Sequence, residues 1–246
     1  MDLRHNLNEK IRYQSLTKEY LPSALECMKN SFYKYENVCN AVGLPHHPEA
    51  ISELEELTLR TANDGLSVIA IDTKENIVCG VSFNKVQVKN NEAEGTYFEN
   101  FAKNCKYSSS RGVVQYMKDA DSICDLFEYC NVDCILEIMF LATLPEYTSK
   151  GIATKLCELS IDLVKKLKQE INVKQSMDGQ EIPLEPIPKI AAALFTSNIS
   201  QRVGRKLNFQ IAATDSYDKY FYKGVAFSNV IGPTTPYFTL EFKVIE

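Results

Sequence analysis

The segment LATLPEYTSKGIATKL, residues 141–156, constrains the fold of this chain more than any other. It continues the largely apolar run Cys134–Thr143, passes through Pro145 and a short polar loop, and ends in an amphipathic pattern that begins at Ile152. This order predicts a buried strand, a loop and a helix. Because the first turn of a helix carries unpaired backbone N–H groups and the positive end of the helix dipole, we expect an anion to bind there.

Further predicted strands come from both halves of the chain. Lys10–Leu16 alternates polar and apolar residues as a half-buried strand does, and Lys189–Thr196 is short and nearly all apolar. Ser67–Asp72 and Ile77–Val88 are rich in β-branched residues and flank the turn DTKEN, which predicts an antiparallel hairpin. Phe238–Ile245 predicts a strand at the end of the chain.

Helical patterns lie between these strands, and each has its own apolar face. Four such faces are predicted: the second follows Pro48, and the third follows a predicted loop at residues 108–112. Their members are, in order, Leu21, Leu25, Met28 and Phe32; Ile51, Leu54 and Leu57; Val114, Met117, Asp121, Cys124 and Phe127; and Ile152, Leu156, Leu159, Leu163 and Leu167. Three prolines between residues 183 and 188 indicate a loop, and Ser197 or Asn198 is a suitable cap for a last helix. The order of elements predicts a mixed sheet covered by helices.

Length and composition narrow the class of protein. The chain has 246 residues, 45% hydrophobic and 24% charged, and no flexible or proline-rich linker divides it, so we expect one domain over residues 1–246. The first residues lack the apolar core of a signal peptide, and no apolar run approaches the roughly 20 residues of a membrane span. We therefore expect a cytoplasmic protein that is monomeric and has no membrane partner.

Charge and metal-binding residue types exclude other classes. The formal net charge of −5 gives no overall basic character for binding nucleic acid, although it leaves a local cationic patch possible, and it suits a cationic small substrate better. The eight cysteines are scattered without CxxC pairs, so we expect reduced thiols. The three histidines, His5, His46 and His47, show no zinc-binding spacing, so we expect no metal site.

Three separated motifs resemble one family. TSKGIA, residues 148–153, resembles the (Q/R)-x-x-G-x-(G/A) acetyl-CoA-binding pattern of the GNAT N-acetyltransferase superfamily, with threonine at the first position. Residues 125–156 resemble the middle of its insect arylalkylamine N-acetyltransferase-like (dopamine N-acetyltransferase-like) branch. SFYKYENV, residues 31–38, resembles the FF-x-D-E-P-L signature of that branch, and residues 195–209 resemble its T-S-x-x-S…K-L-G-F segment. The positions that depart from these patterns are Tyr35, Asn37, Thr148 and Asn208.

The resemblance implies an α/β protein with the GNAT acyl-CoA N-acyltransferase fold. This fold has a mixed, mostly antiparallel central sheet, covered by helices on both faces and splayed at the strand that binds CoA. The implied co-substrate is acetyl-CoA, with its pyrophosphate on the backbone N–H groups of the loop and helix start, which Gly151 opens to close approach, and its pantetheine on the end of the strand. The residues implied to bind it are Leu141, Ala142, Thr143, Thr148, Ser149, Lys150, Gly151, Ile152, Ala153 and Thr154.

The resemblance also implies transfer of the acetyl group to the primary amine of a small arylalkylamine or a related amine. Glu36 falls on the glutamate of the signature and is implied to be the general base, because an alkylammonium ion with a pKa near that of lysine, about 10.4, must lose a proton before attack. Ser197 and Ser200 are implied to orient the cofactor or to protonate the departing thiolate. Many relatives have a tyrosine as the general acid where this chain has Gly204, so Ser200, another tyrosine or water has to supply that proton here. Local sequence alone makes Glu36 a polar residue at a helix end and Ser197 a helix cap.

The sequence argues against a nucleotide-binding protein and leaves two other functions open. A nucleotide-binding α/β protein would show GxGxxG or GxxxxGK(S/T), and the sequence contains neither motif. A noncatalytic CoA-binding relative and an N-acyltransferase that uses longer acyl-CoA donors both fit the three motifs. Cys157 has no histidine near it in sequence, which argues against a covalent acyl-cysteine intermediate.

Overall fold

A mixed sheet organises residues 10–89 and 99–246, which a computed structural model of the protein describes. The strands are β1 Ile11–Ser15, β2 Val68–Asp72, β3 Ile77–Val88, β4 Cys134–Thr143, β5 Ile190–Phe195, β6 Gln210–Ser216, β7 Phe221–Tyr222, β8 Val225–Ala226 and β9 Tyr237–Val244. Seven of them form one sheet in the order β1-β2-β3-β4-β5-β9-β6, and β7 pairs with β8 separately. Among the strands that the structure describes, only β4 and β5 are parallel neighbours. The sheet is therefore mixed and mostly antiparallel, as the sequence predicted.

Helices cover this sheet. They include α1 Leu21–Asn30, α2 Phe32–Tyr35, α3 Asn37–Ala41, α4 Pro48–Ala62, α5 Ser108–Asp121, α6 Leu126–Tyr129, α7 Ile152–Lys168, α8 Asn198–Lys206 and α9 Phe227–Ile231. Strand β2 is buried along its whole length, so both faces of the sheet are shielded from solvent there. Asn84 of β3 donates a hydrogen bond to Ser160 of α7 at 2.8 Å, which ties the longest helix to the centre of the sheet. Among the described residues, no helix combines the length and the apolar character that a transmembrane span requires.

Several predicted elements are confirmed. Strand β4 has the predicted bounds, β2 and β3 form the predicted antiparallel hairpin, and α4 begins at Pro48. The predicted apolar face of α7 is buried along the whole helix. The five apolar positions Ile152, Leu156, Leu159, Leu163 and Leu167 recur at helical spacing, and all five are buried.

The bounds of two predicted helices were wrong. Residues 108–112 are not a loop but the start of α5, because Ser110 donates a hydrogen bond to Glu53 of α4 and holds this serine-rich turn in the core. Helix α5 ends at Asp121, so Cys124 lies outside it and Phe127 belongs to α6.

The first predicted helix also stops early. It ends at Asn30, and Phe32 begins the separate helix α2, because the hydroxyl of Ser31 donates to the carbonyl of Cys27 and interrupts the turn. The sequence patterns did not predict β6, β7, β8 or α9. His5 and the other residues of the range 1–9 lie outside the described residues.

Candidate active site

Strands β4 and β5 separate at their carboxyl ends. Their parallel pairing joins only residues 135–137 of β4 to residues 190–192 of β5. Both strands then continue, to Thr143 and to Phe195, without pairing with each other. The backbone groups of β4 beyond residue 137 therefore lack a strand partner on this side, and the predicted splay of the sheet is confirmed.

A β-bulge lies just beyond the point where this pairing ends. Phe140 pairs with Phe83 and Ile138 pairs with Asn84, which leaves Met139 as the extra residue of β4. A bulge increases the local twist and re-aims backbone and side-chain groups, and bulges are common next to active sites. Because β4 and β5 run in the same direction, their carboxyl ends lie at one edge of the sheet, where α7 and α8 begin.

The loop between β4 and α7 presents backbone N–H groups at this edge. Gly151 caps α7 with a φ of 80°, in the left-handed region, and a Cβ built there would meet nothing within 4 Å. The first backbone hydrogen bond of α7 runs from Lys155 to the Gly151 carbonyl, so the N–H groups of residues 152–154 have no acceptor within the helix. Ser149 is also left-handed, with a φ of 62°. Alternating backbone conformations of this kind form concave N–H arrangements that bind anions.

The polar side chains of the loop make local contacts. The hydroxyl of Thr148, which replaces the usual Gln or Arg, donates to the carbonyl of Pro145 at 2.8 Å. The ammonium group of Lys150 donates to the carbonyl of Glu146 at 2.9 Å and lies 4.7 Å from the centre of the Tyr147 ring. The loop is therefore rigid at its start and carries one exposed positive charge beside the helix N-terminus.

A hydrogen bond outside the predicted site fixes the same loop. The Tyr147 hydroxyl donates to Asp72 at 2.8 Å, and the Asp72 carboxylate also accepts from the backbone N–H groups of Lys74 and Glu75. The hydrogen bond from Tyr147, followed by those from Glu75 and Lys74, lowers the pKa of Asp72. The same bond is the largest cause that raises the pKa of Tyr147 to about 12. The turn between β2 and β3 thus holds the loop in place, which no sequence signal indicated.

The segment α2–α3 spans the gap between β4 and β5. The ring of Phe32 packs edge-on against Phe140 of β4, with 5.4 Å between centroids. Glu36 ends α2 and caps α3, where one carboxylate oxygen accepts from the Cys39 N–H at 2.8 Å. The other oxygen accepts from the hydroxyl of Thr196 at 2.7 Å. Since Thr196 directly follows β5, this contact places Glu36 at the carboxyl end of that strand.

Ser197 and Ser200 form a capping box at the start of α8. Ser197 accepts a hydrogen bond from the Ser200 N–H at 3.0 Å, and Ser200 accepts one from the Ser197 N–H at 3.1 Å. The prediction that Ser197 caps this helix is confirmed. Because Ser197 follows Thr196, the structure brings Glu36, Ser197 and Ser200 to the same end of β5.

The position of Gly204 has no space for a tyrosine. A Cβ built on Gly204 would collide with the Glu241 carboxylate and would lie 2.5 Å from a ring carbon of Phe195. The glycine lets α8 pack closely on β5 and β9, so a side-chain acid at this position is excluded by packing.

An aromatic cluster that the sequence did not indicate packs behind this site. Its members are Tyr116, Tyr217, Tyr220, Phe227 and Phe238, with neighbouring ring centroids 5.1 to 6.3 Å apart. The hydroxyl of Tyr217 donates to the Thr196 carbonyl at 2.6 Å. The cluster thereby connects α5, α9 and β9 to the residue that contacts Glu36.

Metal-binding residue types do not gather in the described parts of the chain. No group of three or more His, Cys, Asp or Glu side chains is placed to hold an ion there. All eight cysteines are free thiols, and burial is the largest cause that raises the pKa of Cys157 to about 12.

No family model and no curated sequence matches the chain. Arylalkylamine N-acetyltransferase 2 from Aedes aegypti is 24% identical over 97% of this chain and 100% of its own, with a TM-score of 0.76. Insect putative arylalkylamine N-acetyltransferase 7 from the same mosquito is 18% identical over 96% and 88%, with a TM-score of 0.75. The Drosophila melanogaster polyamine N-acetyltransferase, which forms N-acetylagmatine, is 13% identical over 95% and 99%, with a TM-score of 0.72.

The chain has the GNAT N-acetyltransferase fold. Within that class, its structural neighbours are insect arylalkylamine and polyamine N-acetyltransferases, so the resemblance indicated by the three motifs is confirmed at the level of the fold. Identities of 24% and below establish the fold alone.

Proposed function

We propose that the protein is an acetyl-CoA-dependent N-acetyltransferase that acts on the primary amine of a small arylalkylamine or a related amine. One observation carries the proposal: the separated ends of β4 and β5, the N-terminus of α7 and the carboxylate of Glu36 lie at one edge of the sheet. Acyl transfer from CoA needs these three features together. They are extended backbone for the pantetheine, an anion site for the pyrophosphate and a base near the thioester.

The proposed acetyl-CoA site consists of residues 141–143 and 148–154. The first range belongs to the part of β4 that β5 does not pair with, and the second supplies the N–H groups at the start of α7. The hydroxyl of Thr143 is buried and finds no hydrogen-bond partner among the described residues. Buried polar groups are nearly always satisfied, so this hydroxyl supports a polar ligand at the end of β4.

The proposed reaction begins with the amine as an ammonium ion. Glu36 binds the cation and accepts one proton, directly or through water, and the neutral nitrogen attacks the thioester carbonyl. The C–N bond forms, the C–S bond breaks, the nitrogen loses its second proton to become the amide, and the departing thiolate takes up one proton. The products are the N-acetylamine and free CoA, and the proton held by Glu36 returns to solvent. A backbone N–H in the unpaired part of β4 stabilises the oxyanion, a contribution typically worth about 3 kcal/mol.

The proton for the thiolate comes from Ser200 or from water in this proposal. Ser200 already accepts from the Ser197 N–H, and its own hydroxyl lies 3.0 Å from both the carbonyl and the hydroxyl oxygen of Ser197. To protonate a thiolate, the Ser200 hydroxyl has to leave this local bond. Ser197, whose hydroxyl accepts from the helix backbone, acts mainly on helix stability and cofactor binding.

The test is release of free CoA across a panel of amines and donors. The amines are arylalkylamines, polyamines, agmatine and amino acids, and the donors are acetyl-, hexanoyl- and palmitoyl-CoA. We expect turnover with acetyl-CoA and at least one small amine. Binding of acetyl-CoA without release by any amine would identify a noncatalytic relative. Faster release from hexanoyl- or palmitoyl-CoA would identify an N-acyltransferase for longer donors.

A further inference from the structure

The hydroxyl and the carbonyl of Thr196 both make hydrogen bonds around Glu36. Its hydroxyl donates to the Glu36 carboxylate at 2.7 Å. Its carbonyl accepts from the side-chain amide of Asn37 and from the hydroxyl of Tyr217, each at 2.6 Å. A carbonyl oxygen has two lone pairs, so both are occupied.

The backbone of Thr196 is fixed from three sides. Phe195 before it pairs with Thr239 of β9, and Ser197 after it begins the capping box of α8. Tyr217, which holds its carbonyl, is fully buried. A threonine side chain has one heavy-atom torsion and few rotamers, so on this fixed backbone the bond to Glu36 selects one direction for the hydroxyl.

Glu36 therefore has a donor on each oxygen. The Cys39 N–H holds one oxygen as an ordinary helix cap, and such a cap alone leaves the carboxylate free to rotate about the retained bond. The bond from Thr196 removes this freedom. A group that transfers a proton must be held in the productive orientation, and small displacements are costly in rate.

We propose that Thr196 is a positioning residue for the general base, with Asn37 and Tyr217 holding Thr196 in turn. The inference rests on the proposed role of Glu36 and extends it. It assigns a purpose to a hydroxyl at the end of β5 that is not itself a proton acceptor, and to Asn37, which stands where the resembling signature has proline.

Other titratable groups near Glu36 stay neutral over the working pH range. Those that its charge affects are Cys39 on the same helix, Tyr116 on α5 and Tyr217 after β6. Burial is the largest cause that raises the pKa of each, and the negative charge of Glu36 raises it further. A change in the acid limb of the activity profile in this region therefore reports Glu36 or the amine substrate.

The first experiment compares Thr196→Val with Thr196→Ser. Valine removes the hydroxyl at nearly constant shape, and we expect kcat to fall about 10- to 100-fold while KM for acetyl-CoA changes less than about twofold. The acid limb of kcat/KM is recorded in both variants as a readout that a loss of stability alone would not move. Serine keeps the donor, and we expect it to recover at least half of the turnover.

Thr239→Val is the matched control. The hydroxyl of Thr239 donates to Glu241 at 2.7 Å in a buried part of β9, whereas its pairing with Phe195 uses the main chain. This variant therefore loses an equivalent threonine–glutamate bond that does not involve Glu36 and keeps the strand pairing that supports Thr196. We expect it to lower the unfolding temperature and to leave kcat and the acid limb unchanged. Losses of kcat that follow the unfolding temperature equally in both valine variants would make Thr196 a structural residue and overturn the proposal.

A double variant separates this inference from the proposed function. In an E36Q background, T196V should cause less than about a twofold further loss, because a positioning residue acts only through the group it positions. An equal loss in both backgrounds overturns the inference. Normal turnover in E36Q overturns the proposed base itself, whereas an inactive E36Q combined with a normal T196V overturns the positioning role alone.

Discussion

At the scale of single residues, the proposed chemistry depends on the carboxylate of Glu36. The sequence motif singled it out, and the structure adds that its carboxylate caps α3 and accepts from a residue 160 positions away. Glu36→Gln keeps the shape of the side chain but cannot take a proton. We expect turnover to fall at least about 10²-fold with little change in the affinity for acetyl-CoA.

Steady-state kinetics and calorimetric titration with acetyl-CoA measure both quantities in the E36Q variant. The acid limb of kcat/KM should also flatten, and amines of different intrinsic pKa identify its origin, because a limb that follows the amine belongs to the substrate. Near-normal turnover with every active amine would move the base to a water chain or to another residue.

The two serines at the start of α8 are also distinguished at this scale. Ser197→Ala removes the acceptor of the Ser200 N–H, and we expect it to lower the free energy of unfolding by about 1 kcal/mol, as the loss of a helix cap does. Ser200→Ala should also lower turnover, because in the proposed reaction its hydroxyl leaves the capping box to protonate the thiolate. Urea unfolding and kcat measured on both variants test this division. Wild-type kinetics in both variants would show that neither hydroxyl takes part.

At the scale of elements, local patterns predicted what local forces determine. The bounds of β4 and the buried face of α7 follow from apolar patterns, because the apolar residues of these elements lie in the core. The start of α5 could not be predicted in this way. Its serines favour loops by themselves. The carboxylate of Glu53 in α4 holds this turn by accepting from the Ser110 hydroxyl and from the backbone N–H groups of Lys106 and Tyr107, and no local pattern encodes these contacts.

The element that carries the cofactor prediction is the loop before α7. Gly151→Val should raise the dissociation constant of acetyl-CoA at least about tenfold, which corresponds to about 1.4 kcal/mol, because valine both resists the left-handed backbone and obstructs the pyrophosphate. Gly179→Val is the control, since Gly179 is also left-handed, with a φ of 89°, and also has nothing within 4 Å of a built Cβ. Calorimetric titration with acetyl-CoA should show normal affinity in the control. Unchanged affinity in a folded G151V variant would place the site elsewhere.

At the scale of the whole molecule, the sheet and its splay were predictable through the family resemblance, whereas the contacts across the site were not. Thr196 meets Glu36, and Tyr147 meets Asp72, across 160 and 75 positions of sequence. No periodic pattern encodes such pairs, because each depends on how several elements pack together. The residues that hold the candidate site in place are therefore those that sequence reasoning missed.

The bond between Tyr147 and Asp72 makes the stability of the whole fold depend on pH at both ends of the scale. The pKa of Asp72 is lowered on folding, so its stabilising contribution is present above the unfolded value of 3.8 and is lost as the pH falls through the folded value. The pKa of Tyr147 is raised from 10.0 to about 12, so its contribution is present below pH 10 and is lost as the pH rises towards 12.

Tyr147→Phe removes the shared bond. We expect urea unfolding to show the largest difference between wild type and Y147F between about pH 5 and 9, and a smaller difference in both acid and alkali. Tyr129→Phe, at an exposed tyrosine packed against Phe242, provides a control that should show no such window. A difference that stays constant across the pH range would mean that Tyr147 stabilises the loop by packing and not through its bond to Asp72.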